Sequence, residues 1–400
     1  MSATLAKPKL SARAALQFVV LLGVVSLFAD VTYEGARSIN GQFLAVLGAG
    51  AAVVGVVGGL GELLGYGLRL FSGPLSERTR QFWFLTFAGY TIQMISVPAL
   101  AFANTWKVAV ALILSERIAK AIRTPARDVI LSHAAKQMGY GWGFGLHEAL
   151  DQIGAILGPL VVAAVIAYRG HDYHKAFAVL IVPALVTLAV LALARWRYPR
   201  PEDFEHTESH VERGSGFSTA FWIYLAGTAL VGVGFADFSL VAYHFEKAGT
   251  VPAAWVPVFY SIAMGVSGAG SLLFGRIFDR RGISVLIPAT ILSALAAPLV
   301  FLGHFWAALA GAALWGLGVG AHESIIPAAV ATMVPANRRA TAYGLFTGSY
   351  GVFWFLGSAA IGILYEHSIN TVIAFSLAAE LAAIPFFIVV ARKQLRSQQS

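Results

Sequence analysis

The sequence predicts an all-α polytopic membrane protein: twelve transmembrane helices arranged as two six-helix repeats. Three observations carry that reading, namely composition, the recurrence of long apolar runs, and punctuation that repeats halfway along the chain. Of 400 residues, 58% are hydrophobic and only 12% charged, and the mean hydropathy is +0.73. A soluble globular domain carries about twice that share of charge. About 20 apolar residues span the hydrocarbon of a bilayer, and backbone groups left unpaired there force such runs to be helical. The 41 glycines fit close helix packing in lipid.

Taken in order, the first six spans are expected near 15–47, 50–72, 82–103, 106–130, 141–168 and 176–196. The second six are expected near 219–245, 254–277, 283–303, 305–332, 341–365 and 370–391. The first apolar run continues well past the length of a signal core, so no removable leader is expected. "RWRYPRPEDFEHTESHVERGSGFS" (195–218) holds prolines, both charge signs and no apolar run, and so reads as a flexible connection. The expected organisation is a bundle over 1–196, a linker over 197–218 and a second bundle over 219–400.

The net charge of +8 does not point to nucleic acid, because its placement follows the loops. Lys7, Lys9, Arg13, Arg78, Arg80, Lys136, Arg195, Arg197, Arg200, Arg213, Arg280, Arg281, Arg338, Arg339, Arg392, Lys393 and Arg396 fall in alternate loops and at the termini. The opposite loops hold only Lys107, Arg169, Lys175 and Lys247. That asymmetry predicts both termini in the cytoplasm of a multi-pass protein of the cell (inner) membrane. With no cysteine, disulfides, iron–sulfur clusters and thiolate metal sites are excluded.

The two halves share landmarks. "FAD" at 28–30 recurs at 235–237, Pro125 is echoed by Pro327, and "GPLSER" (73–78) is matched by "GRIFDR" (275–280). Parallel six-span repeats place a binding site near the midplane between them. "GRIFDRRG" (275–282) resembles the G-x-x-x-D-R-x-G signature of the major facilitator superfamily. "GPLSERTR" (73–80) keeps Gly73, Glu77 and Arg78 but has Arg80 where glycine is usual. Arg117 resembles the family's fourth-helix arginine, and "GAILGP" (154–159) resembles part of its antiporters' fifth-helix signature, without the following glycine pair. The resemblance implies a gating role for Gly73, Glu77, Arg78, Gly275, Asp279, Arg280 and Gly282. The competing reading is that basic loops simply stay cytoplasmic.

An ionisable residue at bilayer depth costs about 2.5–3.5 kcal/mol on the lenient insertion scale, so it faces a cavity or a partner. Asp30, Glu34 and Arg37 stand at i, i+4 and i+7, on one helical face. His147 and Asp151 repeat the i, i+4 spacing in the fifth span, next to Glu148 and Gln152. Asp30, Glu34, Asp151 and His147 are the candidate proton-coupling groups. Arg37, Arg117, Lys120, Asp237 and Tyr350 are the candidate substrate contacts, while Arg123, Arg127 and Asp128 read as structural. Glu62 and Glu380 are lone acids that fit either role. His322 and Glu323 point about 100° apart, so only one can face a cavity.

The expected function is secondary active transport by alternating access: proton-coupled export of a small drug-like compound or metabolite. An organic-anion symporter or exchanger and a divalent-metal exporter are the alternatives. The expected partners are a small-molecule substrate, protons and the lipid bilayer, with the chain a monomer, no cofactor and no enzymatic activity. "GYGWGFG" (139–145) lacks the Lys-Ser/Thr of a phosphate loop, and "AHESII" (321–326) lacks the second histidine of a zinc-protease helix.

Overall fold

The computed structural model describes residues 12–135, 137, 140–200, 217–334 and 339–397. In the first half, α1 (Ala12–Arg37) and α2 (Asn40–Val46) form the first span, and α3 (Ala51–Gly67) and α4 (Arg69–Thr79) the second. α5 (Phe82–Ala99), α6 (Trp106–Ala135) and α7 (Tyr140–Arg169) are the third to fifth, and α8 (Tyr173–Val179) with α9 (Ile181–Arg197) the sixth. In the second half, α10 (Thr219–Gly234) and α11 (Phe238–Ala248) form the seventh span, and α12 (Trp255–Arg281) the eighth. α13 (Leu286–Ala294) with α14 (Ala296–Leu302) is the ninth. α15 (Phe305–Met333), α16 (Arg339–His367) and α17 (Ile369–Ser397) complete the twelve. The protein is an all-α polytopic membrane protein, and no strand occurs among the described residues.

Length and hydropathy alone identify 11 of these spans. The fourth fails that test because α6 carries Glu116, Arg117, Lys120, Arg123, Arg127 and Asp128. It is the helix that brings most charge to the interior. Around the perimeter, Trp196, Trp222, Trp255 and Trp306 are exposed near span ends, where an aromatic belt meets the membrane–water interface.

Helix pairing recurs between the halves. The first span packs on the fifth and sixth, and the seventh on the eleventh and twelfth. The fourth packs on the second and third, and the tenth on the eighth and ninth. Across the halves, α3 packs on α16 while α7 packs on α12, the same pairing with the halves exchanged. The linker expected over 197–218 lies largely outside the described residues.

The two "FAD" motifs, expected to occupy equivalent places, do not. Phe28–Asp30 lies within unbroken α1, whose span breaks only at Ser38 and Ile39. There the Ser38 hydroxyl donates to Gly35 O at 2.6 Å, a side-chain bond of the kind that bends helices. Phe235–Asp237 is itself the joint between α10 and α11. Asp237 has extended backbone and accepts the Ser239 N–H at 2.8 Å, so its carboxyl is drawn into capping α11.

The loop signatures agree better. Arg80 closes α4 with φ 51°, and Gly282 closes α12 with φ 60°. The glycine of the second signature and the arginine that replaces it in the first both take positive φ, Arg80 with ψ 20° and Gly282 with ψ −147°.

Candidate functional site

A cavity of about 150 Å³ lies between the halves. Its first-half wall is almost entirely ionisable: Asp30, Glu34 and Arg37 from the first span, Glu62 and Arg69 from the second, Arg117 and Lys120 from the fourth, and Glu148 and Asp151 from the fifth. The second half contributes Met264, Trp315, Val319, His322 and Trp354. The cavity continues into a wider chamber of about 690 Å³ lined by Arg69, Lys120, Arg123, Arg127, Asp128 and Leu272. These last residues sit towards the face that carries both chain ends, so the cavity opens that way.

The i, i+4, i+7 face of α1 is thus the cavity wall. Gly154 and Gly158 of α7 hold that face in place. A Cβ on Gly154 would lie 2.3 Å from Leu27 O, and one on Gly158 2.4 Å from Val31 O. The "GAILGP" glycines therefore seat the fifth span against the backbone on either side of Asp30.

Part of the buried charge is paired. Arg37 Nη2 lies 2.8 Å from Glu62 Oε1 and 3.7 Å from Asp237 Oδ2, a link from the first half to the second. Arg117 Nη1 donates to the same Glu62 oxygen at 3.2 Å, and its Nε lies 3.6 Å from Glu116. Gln93 donates to Glu116 at 2.8 Å and accepts from Arg123 Nε at 2.7 Å. One carboxylate therefore serves two guanidiniums, and a glutamine relays the network to a third. A buried ion left without such a partner would cost several kcal/mol, on the order of the 3–5 measured for broken pairs.

Two cations differ. Lys120 Nζ sits 3.8 Å above the Tyr33 ring, and the Arg69 guanidinium lies 5.5 Å from the Tyr66 ring. Both line both chambers, and neither has an ion pair with a carboxylate among the described residues. An aromatic face offsets part of a cation's desolvation and leaves the charge available to a solute.

The second-half wall is aromatic. Phe235 stacks on Trp315 at 5.6 Å, and His322 is enclosed by Phe235 at 4.6 Å, Tyr350 at 6.0 Å and Trp354 at 6.2 Å. Tyr350 stands behind this wall rather than on the cavity surface, and Asp237 is buried behind Arg37.

Of the residues expected to couple protons, Asp30, Glu34 and Asp151 line the cavity and His147 does not. His147 is buried with its Nε2 unpartnered, and Glu148 faces the chamber instead. One residue along a helix turns the side chain about 100°, enough for this exchange. Of the substrate candidates, Arg37, Arg117 and Lys120 line the cavity. Arg69 and Glu62 join them; their signal was a charge in an apolar run. Tyr260, whose hydroxyl donates to Glu34 at 2.5 Å, had no signal at all. At the signature loops, Arg78 and Arg280 are exposed, and the side chains of Glu77 and Asp279 lie outside the described residues.

Residues 15–358 match the Major Facilitator Superfamily. The chain belongs to that superfamily. An uncharacterised protein of Mycobacterium tuberculosis is 44% identical over 383 residues, covering 94% of this chain and 93% of the relative. An uncharacterised MFS-type transporter of Methanocaldococcus jannaschii is 30% identical over 185 residues, 46% of each chain. Among solved structures, a peptide transporter POT in complex with alafosfalin superposes with a TM-score of 0.73 at 13% identity, covering 94% of both chains. The nucleoside transporter NupG superposes with a TM-score of 0.68 at 14% identity, covering 96% of this chain and 99% of its own.

In this facilitator the face opposite the chain ends is shut. Gln42 donates to Glu246 at 3.2 Å and to Ala253 O at 3.3 Å, and the Tyr173 hydroxyl donates to Glu246 at 2.7 Å. Ala52 N–H donates to Glu366 at 3.1 Å. Gly41 meets the Ser239 carbonyl, and Gly55 meets the backbone of Ser358 and Gly362, too closely for any side chain. Polar clasps and glycine contacts thus close one end of the cavity while the other stays open. The chain is a membrane transporter of the superfamily.

Proposed function

We propose proton-coupled export of a small polar metabolite by alternating access, with both termini cytoplasmic. The observation that carries this reading is the cavity between the halves, closed at one end, where Asp30, Glu34, Glu148 and Asp151 face Arg37, Arg69, Arg117 and Lys120. Carboxylates at bilayer depth can exchange protons, and nearby guanidiniums set when they do so. Asp30, Glu34 and Asp151 are the proton carriers. His147 tunes Asp151 from behind the wall. Arg37, Arg117 and Lys120 contact the solute, with Asp237 and Tyr350 acting through Arg37 and His322. A wall this charged favours a polar solute over a lipophilic drug.

Export follows from the fifth-span resemblance, and inward opening from the loop charges. Glu77, Arg78, Asp279 and Arg280 engage when the open end closes, with Gly73 and Gly275 keeping α4 and α12 free of a side chain there and Gly282 shaping the turn after α12. A second reading, exchange or symport of an organic anion, is favoured by Lys120 and Arg69, which line both chambers without a carboxylate ion pair among the described residues. No group of three metal-ligating side chains exists among the described residues to favour metal export.

The test is flux of a found substrate in proteoliposomes with an imposed pH gradient. Export reading predicts uptake into inverted vesicles that depends on the gradient and is lost in Asp30→Asn with Glu34→Gln. Flux indifferent to both removes it. Anion exchange is read as gradient-independent flux that requires the anion on the far side.

A further inference from the structure

Glu380 lies in the middle of the twelfth span, 2% exposed and off the wall of the central cavity. It borders a void of about 10 Å³, with Ser293, Ser376, Phe235, Phe301 and Trp315 also on its wall. That volume is about what one water molecule needs. Glu380 Oε2 has no hydrogen-bond partner. The Ser293 hydroxyl faces the carboxyl without closing a hydrogen bond, and the Ser376 hydroxyl is already committed to Gly234 O at 2.6 Å.

Among the described residues, the surroundings offer no positive charge. The ninth span has no charged residue, and the tenth has only His322 and Glu323. In the seventh, Asp237 is turned to Arg37, His244 Nδ1 is 2.8 Å from the Tyr365 hydroxyl, and Glu246 and Lys247 lie at its far end. In the eleventh, Glu366 is bound to Ala52 N–H, and in the twelfth Arg392 lies three turns away. Glu380 instead abuts the end of α10: a Cβ on Gly234 would stand 2.8 Å from Glu380 Cγ. The C-terminus of a helix carries partial negative charge. A carboxylate buried at that pole, with no cation, would bear the full cost of an unpaired ion.

We propose that Glu380 is a second proton-binding site, loaded with one proton in the state seen here. Sodium fits less well, because such a cation needs five or six oxygens and the side chains on this wall supply only those of Glu380, Ser293 and Ser376. The site is wired to the transport cavity from two sides. His322 lines the central cavity and also a second void of about 10 Å³, which it shares with Thr290, one turn before Ser293. Its Nδ1 is unpartnered, so it is placed to pass a proton inward. The joint 235–237 separates Glu380 from Asp237, whose Oδ2 reaches Arg37 across the halves. Deprotonation at Glu380 would repel the end of α10 and so bear on that link.

Its part in transport rests on the proton-coupled reading above, whereas its protonation does not, and the experiment separates them. Infrared spectra of purified protein in detergent are recorded at neutral pH for wild type and Glu380→Gln, in sodium and in potassium buffer. The expected result is loss of one protonated-carboxyl C=O band in Glu380→Gln, with wild type indifferent to the cation. An identical band pattern in the two proteins overturns the proposal, since the group is then ionised. A wild-type band that emerges only when potassium replaces sodium also overturns it, since sodium then holds the site. Should Glu380→Gln fail to fold, Glu380→Asp must shift the band, and an unmoved band overturns the proposal equally.

Discussion

Tyr260 of the eighth span donates its hydroxyl to Glu34 of the first at 2.5 Å, tying a cavity carboxylate to the opposite half. The bond exists only while α1 and α12 hold this relation, so the charge on Glu34 and the conformation are linked. A hydrogen bond to a charged group contributes about 1.5–3 kcal/mol. Tyr260→Phe should therefore shift the population away from the state closed opposite the termini by roughly tenfold or more. Distance measurements between spin labels on the second and eleventh spans check this; an unshifted distribution contradicts it.

Glu62 is the shared counter-ion of Arg37 and Arg117. Glu62→Gln leaves two buried guanidiniums facing one another and should cost about 3–5 kcal/mol. Arg37→Gln should cost less, because Glu62 keeps Arg117. Thermal unfolding of the single and double variants gives the coupling directly, and equal losses in both single variants would argue against a shared counter-ion.

Gly158→Ala places a methyl 2.4 Å from Val31 O, a backbone atom that cannot swing aside. The first and fifth spans must separate next to Asp30, at a cost of about 1–3 kcal/mol, with loss of flux. Gly67→Ala, whose Cβ meets nothing closer than Leu63 Cδ1 at 3.9 Å, should be neutral or stabilising by up to about 1 kcal/mol. Melting temperatures of the two variants distinguish packing from a general intolerance of substitution.

At the signature loops, positive φ at both positions predicts opposite signs for opposite substitutions. Arg80 holds φ 51° and ψ 20°, a left-handed conformation that costs a side-chain residue about 1–2 kcal/mol. Arg80→Gly should stabilise by about 1 kcal/mol, less the lost glycine entropy. Gly282 holds φ 60° and ψ −147°, a region open to glycine, so Gly282→Ala should destabilise by about 1–3 kcal/mol. Melting temperatures that fall in both variants would contradict the assignment.

The spans were legible because eleven long apolar runs leave lipid few alternatives, and the charged face of α1 was legible because helical spacing fixes which residues align. What escaped was set by rotation and by cross-half contact. Glu148 rather than His147 faces the chamber because one residue of helical phase decides it, and a short window does not fix that phase. Tyr260, Gln42 and Glu246 meet partners more than 200 positions away or in the other half, and nothing local marks them. The second "FAD" sits at a joint because Asp237 caps a helix, while the first, in identical letters, lies inside one.

The central claim is that these buried charges line a water path reached from each side in turn. The chain has no cysteine, so Gln152→Cys introduces one thiol on the cavity wall. Labelling that thiol with a membrane-impermeant maleimide, from each face separately while substrates and pH are varied, tests the claim most directly. Modification from the terminus-bearing face in the state described here, and from the opposite face once the Gln42–Glu246 clasp opens, is the predicted result. A thiol that no condition exposes to the opposite face would contradict it.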